Sequence, residues 1–133
     1  MLKIPAAIHD DMIAHAKEGF PLEVCGILGG TGDVVSVIYR MTNTDASNEH
    51  FMMDPKEQFA VVKDLRAKGL AMLAIYHSHP ETPARPSDED IKLALTPEVS
   101  YLIISLADPA VPDIKSYKIN SGNVQPETIE VIV

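Results

Sequence analysis

The chain has 133 residues, 46% hydrophobic and 23% charged, a length and balance that fit one domain around one core and exclude a disordered chain. Its 11 Lys and Arg are scattered rather than clustered against 19 Asp and Glu, giving a formal net charge of -8. That excludes nucleic acid and an anionic membrane surface as the main partner.

Ile8, Met12, Ile13 and Ala16 recur at helical spacing with Asp10, Asp11 and Lys17 opposite, which predicts a helix from about Pro5 to Glu18, stopped by Gly19 and Pro21. Val24 to Leu28 reads as a short buried strand, 29–33 (Gly-Gly-Thr-Gly-Asp) as a turn, and the β-branched run Val34 to Met41 as the next strand. Asn43 to Asn48 is polar and reads as a loop. Asp54-Pro55-Lys56-Glu57 is a helix start, and that helix ends at Gly69. Leu70 to His77 has the nearly continuous apolar pattern of a strand buried on both faces. Pro80 to Pro86 is a loop, and Ser87 opens a helix to about Leu95. Tyr101 to Leu106, Ile114 to Ile119 and Thr128 to Val133 complete the chain as strands. This order predicts an α/β fold in which a mixed β-sheet is flanked by helices in three layers. With no repeat, linker or low-complexity block, residues 1–133 are expected to form a single domain.

Cys25 is the only cysteine, so no internal disulfide can form, and a reducing compartment is expected. No signal-peptide core follows Met1, and the longest apolar stretch, Leu70 to Tyr76, is too short to cross a bilayer. The expected location is the cytoplasm. The apolar neighbours of Cys25 favour a buried structural thiol over a nucleophile. His9 and His15 fall on the first helix and read as surface residues. His50 also reads as a surface residue, with substrate contact as its other reading.

The chemistry concentrates in His77-Ser78-His79-Pro80 and in Ser87-x-x-Asp90. On a strand, His77 and His79 share a face. Two imidazoles and a carboxylate are common ligands of a catalytic zinc. Taken alone, His-x-His is more often a hydrogen-bonded or surface pair, and Ser87-x-x-Asp90 is also a capping box that needs no metal. One further acid, Glu23, lies in Pro21-Leu22-Glu23-Val24-Cys25-Gly26.

This constellation resembles the signature of the JAMM, or MPN-plus, zinc metallopeptidases: a remote Glu, then His-x-His-Pro, six residues, Ser, two residues and Asp. Glu23, His77, His79, Pro80, Ser87 and Asp90 fill every position. The segments 23–28, 43–55 and 101–105 also resemble those around the family's site, so the likeness spans nearly the whole chain. It implies a core similar to that of the cytidine deaminases. It further implies one Zn²⁺ held by His77, His79 and Asp90 with water as fourth ligand, Glu23 as general base, and Ser87 steadying the oxyanion. Near-minimal length makes the chain similar to small stand-alone prokaryotic members. These cut after the C-terminal Gly-Gly of a ubiquitin-like or sulfur-carrier protein, so such a tail is the expected partner. The alternatives are an inactive MPN scaffold, which usually lacks ligand residues, and a peptidase of cell-wall-type or phage-tail peptides. A zinc deaminase is excluded, since its chemistry needs Pro-Cys-x-x-Cys and this chain has one cysteine.

Overall fold

The computed structural model describes every residue from Met1 to Val133. Its elements are β1 (Leu2–Pro5), α1 (Ala6–Gly19), β2 (Cys25–Thr31), β3 (Val34–Met41), α2 (Pro55–Ala67), β4 (Ala71–His79), α3 (Asp88–Leu93), β5 (Ser100–Ser105), β6 (Asp113–Asn120), β7 (Asn123–Glu127) and β8 (Ile129–Ile132). All eight strands join one mixed sheet in the order β7-β6-β5-β4-β2-β3-β1-β8. β4 and β5 run parallel, so the chain must cross over between them, and α3 makes that crossover.

Side-chain alternation on the central strands divides the core between two faces. Ile8, Met12 and Ala16 of α1 pack on one face against Leu28, Tyr76, Leu102 and Ile104. Val61 and Leu65 of α2 cover Cys25, Ile27 and Ile75 on the other. Ile91 and Ala94, from α3 and its end, pack beside them on Ile103 and Ile119. The three-layer mixed sheet expected from the element order is therefore present. No helix is long and apolar enough to cross a membrane.

α2 begins as its sequence predicts, with Asp54 accepting from the Lys56 N–H, Pro55 in the first turn, and Gly69 beyond its end at φ +69°. Glu57 does not close a capping box. Its carboxylate accepts instead from the N–H and hydroxyl of Thr42, each at 2.8 Å, and ties α2 to the end of β3.

Several expectations are corrected. Gly29 and Gly30 belong to β2 rather than to a turn, which is confined to Gly32-Asp33. A Cβ at Gly29 would lie 2.3 Å from Leu65 Cδ2, and one at Gly30 would lie 2.0 Å from the Val34 carbonyl oxygen. These glycines permit close approach rather than reversal. β1 and β7 were not expected, and the C-terminal strand begins at Ile129. β4 continues through both histidines, and only its second half is well buried, because Ala71 is exposed. α3 stops at Leu93, short of Leu95.

His15 is not a surface residue. It is half-buried, with Nδ1 2.7 Å from the Tyr76 hydroxyl, and burial lowers its pKa. The Tyr76 ring then lies against Gly26, where an added Cβ would come within 2.1 Å of Cε2. Gly26→Ala is therefore expected to cost ~1–3 kcal/mol through overpacking. Urea denaturation measures this, and a variant as stable as wild type would contradict the packing.

Candidate metal centre

His77 and His79 lie in the last three residues of β4, and Ser78 between them faces the opposite way. Ser78 Oγ accepts from the Val24 N–H at 2.8 Å, and the Ser78 N–H donates to the Val24 carbonyl at 3.0 Å. This clamp extends the antiparallel register that pairs Cys25 with His77. Continued one step further, the register sets Glu23 opposite His79 on the face that carries both imidazoles.

Asp90 comes from the first turn of α3. The capping box expected there is present: Ser87 Oγ accepts from the Asp90 N–H at 3.0 Å, and Asp90 Oδ2 accepts from the Ser87 N–H at 2.9 Å. The same Oδ2 lies 3.2 Å from His77 Nε2 and 3.1 Å from His79 Nε2, and the two nitrogens are 3.2 Å apart. The cap and metal readings therefore coexist in one carboxylate. Three donors at ~2.0–2.2 Å from a tetrahedral ion would be roughly 3.3–3.6 Å from one another. The triangle formed by these side chains, 3.1–3.2 Å on each edge, comes within a few tenths of an ångström of that size.

Proton placement also favours a cation. His79 Nδ1 lies 2.9 Å from the Pro83 carbonyl, which can only accept, so Nδ1 carries a proton. In neutral His79 the Nε2 lone pair then faces the Asp90 carboxylate. Either a second proton on His79 or a metal ion must relieve that repulsion. Burial alone would suppress charge on His79, but the Asp90 hydrogen bond and the Pro83 carbonyl raise its pKa. Burial likewise opposes ionisation of Asp90, yet hydrogen bonds from His77 and His79 hold its pKa well below the usual carboxylate range. The donor set fits Zn²⁺, which takes neutral imidazole and carboxylate and leaves a position open for reactants.

Glu23 is 4% exposed, and its Oε1 is buried without a hydrogen-bond partner. Its backbone is fixed by the loop 43–48, with the N–H donating to the Ser47 carbonyl at 2.8 Å and the carbonyl accepting from Asn43 Nδ2 at 3.1 Å. Burial raises its pKa to about 7, moderated by His79 and reinforced by Asp90. Ser87 is exposed and occupied as a cap acceptor, while its hydroxyl proton stays free to donate.

Sequence reasoning missed the residues that support these groups. Phe51 stacks on His77 with ring centroids 4.7 Å apart and planes at 24°. An apolar pocket opens beside the donors, lined by His50, Phe51, His77, Asp90, Leu93 and Tyr101. His50, expected at the surface, is half-exposed in that wall with Nδ1 2.9 Å from Asp45 Oδ2. Phe51 lies in the segment 43–55 that resembles the family's, but nothing in the sequence pointed to its stacking on His77, and no spacing rule identified Ser78. Cys25 is fully buried, and burial pushes its thiol up to about 12, which rules it out as a nucleophile.

Two buried histidines at a strand end, an aspartate from the next helix and an unpaired acid just before the adjoining strand define a mononuclear metallohydrolase. A family model described as prokaryotic homologs of the JAB domain matches residues 5–120. The CysO-cysteine peptidase of Mycobacterium tuberculosis is 35% identical over 134 residues, covering 99% of this chain and 92% of that protein. The desampylase of Haloferax volcanii is 33% identical over 111 residues, covering 78% and 80%. A solution structure of a Desulfitobacterium hafniense protein superimposes with a TM-score of 0.91 at 48% identity, covering 99% of this chain and 93% of that one. The chain belongs to the JAMM/MPN metallopeptidase family, in its prokaryotic JAB branch. It keeps the whole donor set, as an enzyme of that family requires.

Proposed function

We propose that this protein is a zinc metallopeptidase that cuts the peptide or isopeptide bond after the C-terminal Gly-Gly of a ubiquitin-like or sulfur-carrier protein. The observation that carries the hydrolytic chemistry is the triangle of His77 Nε2, His79 Nε2 and Asp90 Oδ2. The substrate class follows from the relatives, one a CysO-cysteine peptidase and another a desampylase. Residues 1–133 act as one catalytic domain, in the cytoplasm, where such carriers work.

When bound, zinc supplies an activated water, its pKa lowered towards ~7, and polarises the scissile carbonyl. His77, His79 and Asp90 hold the ion, with Phe51 packed on the His77 ring. Glu23 takes a proton from the attacking water and delivers it to the leaving amine, a role suited to a buried carboxylate whose Oε1 has no partner within the protein. The Ser87 hydroxyl donates its free proton to the oxyanion while its lone pair caps α3. A Gly-Gly tail suits the approach because it has no side chains to accommodate.

The test is a panel of carrier proteins extended beyond Gly-Gly, incubated with the zinc-loaded protein and read by intact mass. Release of the extension from at least one carrier, abolished by a chelator and restored by zinc, is the expected result. If every extension stays intact, the assigned substrate class is wrong.

A further inference from the structure

Three consecutive carbonyls in the loop between β4 and α3 are each captured by a side chain from a different strand. The Thr82 carbonyl accepts from Ser105 Oγ of β5 at 2.6 Å. The Pro83 carbonyl accepts from His79 Nδ1 of β4 at 2.9 Å. The Ala84 carbonyl accepts from the Tyr117 hydroxyl of β6, also at 2.6 Å. Ser105, Ala84 and Tyr117 are all buried.

A segment with prolines at 80, 83 and 86 has few N–H groups and cannot build a ladder, so its carbonyls draw on side-chain donors. Only the Pro83 carbonyl also accepts from a backbone group of the loop, the Arg85 N–H at 2.8 Å. The middle carbonyl also assigns the proton of a metal ligand, and its two neighbours are the anchored ones. Fixing Thr82 and Ala84 leaves the Pro83 peptide one orientation, which directs His79 Nε2 towards His77 and Asp90.

We propose that Tyr117, together with Ser105, is a positioning residue for His79, locking the Pro83 carbonyl so that the imidazole presents Nε2 to the metal. Tyr117 itself stands away from the donors and acts only through the loop. With its hydroxyl gone, the Ala84 carbonyl is released, the turn that the Arg85 N–H closes onto the Pro83 carbonyl loses its anchor, and the carbonyl that fixes the His79 tautomer can shift. Outer partners of metal ligands typically contribute 10–100-fold in metal affinity. Ser105 carries a second duty, since its Oγ also accepts from the Ala107 N–H at 3.1 Å. Tyr117→Phe is therefore the cleaner probe.

This inference rests on the metal site proposed above, and its test separates the two. The zinc dissociation constant of the full chain is measured by competition with a chromophoric chelator, alongside the thermal midpoint of the metal-free protein. Tyr117→Phe is expected to bind zinc ~10-fold more weakly. Tyr39→Phe, which removes a hydroxyl bonded to Asp64 of α2 rather than to the β4–α3 loop, is expected to bind it as wild type does. A merely structural Tyr117 would lower the midpoint and leave the zinc constant alone, and that result would overturn the proposal. Equal weakening by Tyr39→Phe would overturn it as well. If Tyr117→Phe fails to fold, Ser105→Ala decides by the same criterion. Wild-type protein that takes up no zinc would refute the metal site and this inference together.

Discussion

Glu23→Gln is expected to slow hydrolysis by ~10²–10⁴-fold while zinc stays bound at one equivalent. The amide keeps the shape of the side chain and removes only its capacity to carry a proton. The variant should also differ in stability. The folded pKa of Glu23 is about 7, above its ordinary 4.5, because burial penalises the charge. A carboxyl raised in this way contributes stability that is complete below pH 4.5 and lost as the pH rises through about 7. Glutamine never ionises, so in metal-free protein Glu23→Gln should gain ~3 kcal/mol relative to wild type between pH 4 and pH 8. Asp90 is ionised at both pH values in both proteins, since, against burial, hydrogen bonds from His77 and His79 hold its pKa well below the usual carboxylate range. Urea denaturation at the two pH values, with zinc retention and turnover, gives three readings. Wild-type turnover in Glu23→Gln would end its assignment as the base.

His77→Ala is expected to lose both zinc and hydrolysis. The substitution removes one of three protein donors and the stacking partner of Phe51. The fall in zinc affinity should be ~10³-fold or more, beyond the 10–100-fold typical of an outer partner. Catalysis should fall with it. Contrast between the variants separates the roles: zinc without turnover for Glu23→Gln, and neither for His77→Ala. A His77→Ala protein that bound zinc with wild-type affinity would remove His77 from the ligand set.

The site was legible because zinc accepts few donor types and because Glu23, His77, His79, Pro80, Ser87 and Asp90 fill every position of a known family's signature, whereas the spacing alone left the blander readings open. Ser87 and Asp90 supported two readings, capping box and metal site, and one carboxylate oxygen serves both. Long periodic elements such as α1 and β3 were read to within a residue or two. What escaped depends on distant partners. β1 has four residues ending in proline, and it pairs with β8 from the far end of the chain. β7 contains Pro126, tolerated because this is an edge strand. Gly29 and Gly30 read as a turn because glycine marks turns, whereas here the need is for space beside Leu65 and the Val34 backbone. His15 extends the α1 stripe of Met12 and Ala16, but only the position of Tyr76 reveals its partner. Ser78 and Tyr117 act through backbone atoms remote in sequence, and such contacts leave no local pattern.

The most direct test of the account is anomalous diffraction at the zinc edge from crystals of the zinc-loaded protein. One peak is expected, ~2.0–2.2 Å from His77 Nε2, His79 Nε2 and an Asp90 carboxylate oxygen. No peak there, or zinc bound only elsewhere on the protein, would contradict it.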